Sequence, residues 1–377
     1  VTISVVLAGG GSAGHVTPLL ALADCLRRRD PATRITVLGT AEGLEARLVP
    51  ARGYELVQLP KVPMPRRPGP DLLRIGGRLR EAVRAAGAAL DAAEADVVVG
   101  FGGYVCPPAY LAARRRGTPI VIHEANPLPG LANRLGARLT PYVATTFPHT
   151  PLPHAVQTGV PLRHEISDLA RADDAERLAR RLLAREHFGL DLDRTTVLVT
   201  GGSLGAQRLN DTFGEAAPDL RAAGAQVLHV SGTGKQVEVR QSAGGAGDDV
   251  PPYVVVPYVD AMEQAYAAAD LVVCRAGANT VCELATVGLP AAYVPLPVGN
   301  GEQRLNAEPV VAAGGGLLVD DADCTAGWVR EVLVPLLQDA AALRAMGEAA
   351  ARFVVPDADE RLADLVEAAV EGRRVPS

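Results

Sequence analysis

The sequence predicts an α/β protein made of two Rossmann-like, doubly wound parallel-sheet domains facing a cleft. Three observations carry that prediction. Short β-branched runs alternate with alanine- and leucine-rich stretches along the chain. Those runs are apolar at successive positions, as strands are when helices cover both faces of a parallel sheet. And one phrase occurs twice: "SVVLAGGGSAGHVTP" at 4–18 returns as "TVLVTGGSLGAQRLN" at 196–210. Each copy breaks into Gly-Gly-Ser, one residue, then Gly. Each therefore reads as the first strand, turn and helix start of its own domain, because glycine permits the tight turn and the next helix offers free N–H groups.

In order, the first half reads as strand "ISVVLA", a helix from about 18 to 29, "RITVLG", a helix near 42–52, "YELVQL", "DVVVGF", "PIVIHE" and "PYVATT". "TGVPLRHE" (158–165) is a link, and 166–194 is charged and helical. The second half follows with "TTVLVT", "QVLHVS", "YVVVPY", "DLVVCR" and "AAYVPL". The tail from Pro356 is expected to fold back as a last helix. The predicted domains are 1–162, with 356–377 packing on it, and 163–355, with the ligand expected in the cleft.

Composition narrows the function. The 377 residues are 48% hydrophobic and 21% charged, enough for sizeable cores. A net charge of −6 gives no basis for nucleic-acid binding. Five scattered cysteines without Cys-x-x-Cys argue for reduced buried thiols rather than disulfides or zinc. Neither a signal peptide nor a membrane-spanning run is read, so the expectation is a cytoplasmic protein.

Gly9-x-Gly11-x-x-Gly14 matches the dinucleotide fingerprint, but the acidic residue that should close the second strand is missing: that strand ends Leu38-Gly39-Thr40. "SGTGKQ" at 231–236 fails as a P-loop in spacing and in its last residue. Three Asp-x-Asp triplets (191/193, 321/323, 357/359) lie in polar stretches away from the glycine-rich turns and read as solvated loops, so no catalytic metal is expected.

"VVCRAGANTVCELATVGLPAAYVPLPVGNGEQRLNA" (272–307) is richer. A strand breaks at 275–278 and a helix starts near Asn279 or Thr280, aiming free N–H groups at an anion such as a diphosphate. Glu283, one turn in, is placed to accept two hydrogen bonds from a ribose diol; the alternative is a first-turn charge favoured by the helix dipole. "GNGEQRLN" reads as a loop that addresses hydroxyls. In the first half His15 follows the glycine-rich turn, and His123, Glu124 and Asn126 end another strand on the same rim. His15 is suited to act as a base or serves structure alone. Residues 61–84 carry seven basic side chains interleaved with Leu72, Leu73, Ile75 and Leu79, and Arg114–Arg116 add a second cluster. This is either a docking face for an anionic bilayer or a solvated helix whose leucines face the core.

The ordered set "GGGSAGHVTP", "LGTAEGLEARLVP", "GFGGYVCPPAYLAA", "HEANPLPGLANR", "TGVPLR", "TGGSLGAQRLN", "VCRAGANTVCELATVGLPAAYVPLP" and "EQRLNA" resembles the MurG family, nearest its actinobacterial branch. The resemblance runs to about residue 320. It implies a GT-B fold and an inverting, metal-independent glycosyltransferase of peptidoglycan synthesis, acting in cell-wall biogenesis, cell shape and division. Such an enzyme moves N-acetylglucosamine from UDP-N-acetylglucosamine to the 4-hydroxyl of a muramoyl-pentapeptide on undecaprenyl pyrophosphate. It needs no cofactor. It would sit peripherally on the cytoplasmic face of the membrane, with cell-wall synthesis and division proteins as partners.

By position, the resemblance makes His15 and Glu124 the catalytic candidates on the acceptor side, with Asn126 beside them. The donor set is Ser12, Gly14, Asn126, Arg163, Ser203, Val259 (through its backbone to uracil), Met262, Glu283 (ribose), and Glu302, Gln303 and Asn306 (sugar). Leu72, Arg74, Ile75, Arg78 and Arg80 form the membrane-docking set. The chain departs from the family pattern where Ser12-Ala13 replaces Thr-Gly, Ala125 and Leu204 each replace Gln, and Glu302 replaces the first of two glutamines. A carboxylate at 302 accepts from sugar hydroxyls but has no N–H to offer. The rivals are a GT-B enzyme for another lipid or natural-product acceptor, a UDP-sugar epimerase, and a non-catalytic nucleotide-sugar-binding scaffold.

Overall fold

The structure, a computed structural model, describes residues 2–62, 71–202, 206–241 and 249–373, and of 71–75 the helix backbone alone. The chain divides into two units, 1–163 with 355–377, and 164–354.

The first unit holds β1 (Ser4–Gly9), α1 (Ala13–Arg29), β2 (Arg34–Gly39), α2 (Glu45–Ala51), β3 (Glu55–Gln58), α3 (Asp71–Ala92), β4 (Val97–Gly102), α4 (Cys106–Arg116), β5 (Ile120–Glu124), α5 (Leu131–Gly136), β6 (Tyr142–Thr145) and β7 (Ala155–Gln157). Its seven strands run in the order β3-β2-β1-β4-β5-β6-β7, every pair parallel. The order reverses between β1 and β4, so the loops leaving these strands diverge and open a crevice at their carboxyl ends. That topology brings His15, just past β1, next to the Gly102-Gly103 corner after β4.

One sheet face packs Val5, Leu7, Val97 and Val99 against Leu19, Leu22 and Leu26 of α1. The C-terminal helix Ala358–Val370 joins the same cluster through Leu362, Leu365 and Val366, so the tail folds back on this unit. Arg29 ties it further to Glu360 (2.6 Å), Asp364 (2.8 Å) and Glu367 (3.0 Å). The opposite face packs Val6, Ala8, Val98 and Ile122 against α3 and α4.

The second unit holds α6 (His164–Arg171), α7 (Asp174–Phe188), β8 (Thr196–Thr200), α8 (Gln207–Glu215), α9 (Ala217–Ala222), β9 (Gln226–Val230), β10 (Tyr253–Val256), α10 (Met262–Ala268), β11 (Leu271–Cys274), α11 (Ala278–Val287), β12 (Ala291–Tyr293), α12 (Glu302–Ala312) and β13 (Gly316–Leu318), with further helices before residue 352. Its sheet repeats the plan as β10-β9-β8-β11-β12-β13, with the reversal between β8 and β11.

Several expectations are corrected. Helix α1 begins at Ala13, five residues before Pro18, because Ser12 in extended conformation already ends the turn; Pro18 lies inside the helix and His15 in its first turn. Helix α11 begins at Ala278, which moves Glu283 to the second turn, where it is buried. The reading of Glu283 as a first-turn charge favoured by the helix dipole is thereby excluded. Two of the Asp-x-Asp triplets are not solvated loops either. Asp321 pairs with Arg275 at 2.6 Å, and Asp359 is buried against Arg28 at 2.8 Å. All five cysteines are free and buried.

Candidate active site

In the first unit the glycine-rich turn presents His15. Its Nδ1 lies 3.0 Å from the Gly10 carbonyl and 3.3 Å from Ser12 Oγ. A carbonyl only accepts, so the proton belongs on Nδ1 and the lone pair on Nε2. That Nε2 sits over Gly102, where a Cβ would lie 2.8 Å away; at φ +106° this position suits glycine on both counts. Ser12 caps α1 without a side-chain hydrogen bond to the helix's first backbone N–H groups, and Ser12 and Gly14 are both exposed.

Glu124, at the end of β5, is buried and engaged. Oε1 accepts from Asn126 N–H at 3.0 Å; Oε2 accepts from Gly130 N–H and Asn133 Nδ2, both at 3.0 Å. Tyr110 Oη in turn donates to Asn133 Oδ1 at 3.0 Å. Both carboxylate oxygens thus hold the 125–130 loop. His123 Nε2 donates to Gly159 C=O at 2.9 Å, and burial pushes its pKa down to about 4, so it is a neutral structural imidazole.

In the second unit, Gly277 caps α11, with neither a capping side chain nor an acidic residue in the first turn, which leaves the positive dipole end open to an anion. Glu283 faces Tyr266 of α10, whose Oη donates to Glu283 Oε2 at 2.7 Å. Met262 opens that same α10, and Val259 lies half-buried in the loop before it. Glu302, Gln303 and Asn306 prove to be on the first turns of α12 rather than in a loop. Gln303 Oε1 accepts from Leu296 N–H at 2.9 Å, which turns its NH₂ end outward, away from that contact. Asn306 is buried and its Nδ2 donates to Ala276 C=O at 3.0 Å, so it braces the turn before α11. Arg163 is half-buried and is the last residue of the first unit before the chain enters the second. Ser203 lies outside the described residues.

Motif reading passed over four of these groups. Tyr266 orients Glu283, and Asn133 with Tyr110 anchors Glu124. Arg275, after β11, spans the Val294 (3.1 Å) and Pro295 (3.2 Å) carbonyls and Asp321. The available signal for Arg275 was a charged residue ending an otherwise buried strand.

Arginines gather on α3 and α4. Arg80, Val83, Arg84, Arg115 and Arg116 line a depression of about 410 Å³, with Arg116 paired to Asp91 at 2.6 Å. Arg78 is exposed on the same helix. Leu79, by contrast, packs on the core with Val83, Ala86 and Leu90, which removes it from the expected insertion set. The side chains of Leu72, Arg74 and Ile75 lie outside the described residues. Among the described residues no helix is long and apolar enough to cross a membrane.

Two parallel-sheet units of this kind, each reversing strand order beside a glycine-rich turn, make the GT-B fold, and the family models that match them make the protein a glycosyltransferase by class. Glycosyltransferase family 28 N-terminal domain matches residues 5–145, and glycosyltransferase family 28 C-terminal domain matches 196–362. Within that class the chain belongs to the MurG family. It is 58% identical over 362 residues to the UDP-N-acetylglucosamine–N-acetylmuramyl-(pentapeptide) pyrophosphoryl-undecaprenol N-acetylglucosamine transferase of Nocardioides sp., covering 96% of this chain and 97% of that one. The transferase of the same name from Frankia casuarinae is 57% identical over 372 residues, covering 98% and 97%. The crystal structure of Acinetobacter baumannii MurG superposes with a TM-score of 0.74 at 28% identity, covering 97% of this chain and 99% of that one.

Proposed function

We propose that this chain transfers N-acetylglucosamine from UDP-N-acetylglucosamine to the 4-hydroxyl of the muramoyl-pentapeptide carried on undecaprenyl pyrophosphate, a step of peptidoglycan synthesis. The observation that carries this reading is the 58% identity, over nearly the full length of both chains, to a transferase of that name. The geometry supports a division of labour. His15 Nε2 takes the proton of the acceptor hydroxyl while its oxygen attacks the anomeric carbon and inverts it. The bond from that carbon to the phosphate oxygen breaks, and its electron pair leaves with UDP.

The open N-terminus of α11, Arg163 and Ser203 take up the diphosphate charge. Glu283 accepts from the ribose diol, the Val259 backbone and Met262 meet uracil, and Glu302 and Gln303 address the sugar. Asn306 acts by holding the Ala276 carbonyl. Ser12, Gly14 and Asn126 complete the donor contacts. Glu124 is a positioning residue, since its oxygens are already committed to the loop it closes. No metal takes part: Asp321 and Asp359 are neutralised by Arg275 and Arg28, and the helix end with Arg163 supplies the positive charge.

The test is UDP release from UDP-N-acetylglucosamine with and without a lipid-linked muramoyl acceptor, in EDTA. Release that requires the acceptor and is undiminished by EDTA is expected. Interconversion of the sugar without acceptor contradicts transfer, and activity that returns only with magnesium or manganese contradicts the metal-free account.

The acceptor's lipid tail lies in the bilayer, so the chain works peripherally, at the cytoplasmic face, with the α3–α4 arginines against anionic headgroups. Each basic residue near such a surface contributes about 1 kcal/mol, so reversing Arg80 and Arg84 to Glu should lower vesicle partitioning by roughly 30-fold or more. Co-sedimentation with anionic vesicles measures this. Turnover of a short-chain soluble acceptor should be spared; equal loss on both acceptors would assign these arginines to the fold instead.

A further inference from the structure

The glycine-rich turn of the first unit already contains an anion. Glu45, on α2, is fully buried, and its Oε2 accepts from Gly11 N–H at 3.0 Å. Its Oε1 accepts from Thr40 N–H at 2.9 Å and Thr40 Oγ1 at 2.8 Å. A Cβ at Gly10 or Gly43 would overlap this carboxylate, and one at Gly39 would overlap its Cγ. Gly10, Gly39 and Gly43 therefore make room for a protein side chain. Burial pushes the Glu45 carboxyl up, but the hydrogen bonds from Gly11 and Thr40 outweigh it and leave the pKa below its ordinary value.

The Gly11 N–H held by Glu45 belongs to the same peptide group as the Gly10 carbonyl that faces His15. A trans peptide points its N–H and C=O in opposite directions, so an acceptor fixed on one side aims the carbonyl to the other. Donation to the carboxylate also polarises that carbonyl and strengthens its bond to the imidazole. Gly103 leaves the space: a Cβ there would come within 2.6 Å of Gly10 O.

We propose that Glu45 is a built-in anion that occupies the first glycine-rich turn and, through the Gly10–Gly11 peptide, positions His15 with its proton on Nδ1 and its lone pair on Nε2. The inference rests on the reading of His15 as the base.

Three measurements test it on the full-length chain. In ¹⁵N NMR of the parent protein at neutral pH, with the His15 signals assigned by their loss in His15→Gln, the Nδ1–H tautomer is expected; the Nε2–H tautomer overturns the proposal. Glu45→Gln, which keeps the shape and removes the charge, should lower kcat by about tenfold or more while KM for UDP-N-acetylglucosamine stays within about twofold. A folded Glu45→Gln chain with parental kcat overturns the proposal. Glu45→Ala opens the slot, and formate or acetate should restore its kcat saturably; a folded Glu45→Ala chain that neither loses kcat nor responds to them overturns the proposal. The tautomer is read without activity or a Glu45 variant, so it stands even if His15→Gln keeps turnover and the base lies elsewhere.

Discussion

Replacing His15 with glutamine is expected to lower kcat by about 10²–10⁴-fold, the usual worth of a positioned general base, and to leave KM for UDP-N-acetylglucosamine nearly unchanged. The split follows from the assigned roles. Nε2 is the ring atom left without a proton when Nδ1 faces the Gly10 carbonyl at 3.0 Å, and it meets the acceptor hydroxyl, whereas the residues that hold the nucleotide belong mostly to the second unit. Glutamine matches the reach of the imidazole but cannot take a proton near neutrality. Glu124→Gln should cost less. Its amide keeps one oxygen for the loop but presents an NH₂ to N–H groups that need an acceptor, so the loop loosens while the base remains. Steady-state kinetics on the soluble acceptor analogue separates the cases. A His15→Gln chain that is folded and turns over near the parental rate would remove His15 from the chemistry.

Glu283→Ala is expected to raise KM for UDP-N-acetylglucosamine by about 10–100-fold, with kcat at saturating donor changed much less. A hydrogen bond to a charged group contributes about 1.5–3 kcal/mol, and the carboxylate is assigned two ribose hydroxyls. Its orientation is not left to chance. Glu283 sits on the second turn of α11, and Tyr266 Oη holds Oε2 at 2.7 Å. Tyr266→Phe should therefore move KM in the same direction by a smaller factor, about fivefold, the worth of roughly 1 kcal/mol. Initial rates over a range of donor concentration decide the matter. An unchanged KM in Glu283→Ala would leave the ribose to another residue.

Much of the architecture was legible because most of its strands are buried. Runs such as "VVVGF" and "TVLVT" carry the apolar continuity that a parallel sheet requires; eleven strands stand out in the sequence, among them the partly exposed β3 and β10. The two that do not are β7 (Ala155–Gln157) and β13 (Gly316–Leu318), three-residue edge strands with partly exposed side chains. The start of α1 was misjudged because proline favours the first turn of a helix, whereas here Ser12 ends the turn and Pro18 falls well inside.

The site was legible as a set of residues but not as a division of roles. His15 and Glu124 sit at a helix start and a strand end, where position alone marks them, and Glu283 lies in the second turn of α11. What separates Glu124 from His15 is backbone: Asn126 and Gly130 N–H groups take the carboxylate, and a backbone carbonyl sets the imidazole. No side-chain motif records such partners. Asn306 was read as a sugar-binding loop residue because "GNGEQRLN" is polar and punctuated by glycine, yet α12 begins at Glu302 and turns Asn306 inward. Glu45 lies in the quoted "LGTAEGLEARLVP", but its partner Gly11 is far away in sequence and meets it only once β1 and β2 are paired.

His15 of the first unit is assigned as the base, and the donor is held without help from its imidazole. A calorimetric titration of the folded His15→Gln chain with UDP-N-acetylglucosamine tests that claim most directly. The parental dissociation constant, within about twofold, is expected in a protein whose turnover has fallen by about 10²-fold or more. A loss of donor affinity that matches the loss of turnover would make His15 a donor-binding residue and contradict the assignment of the base.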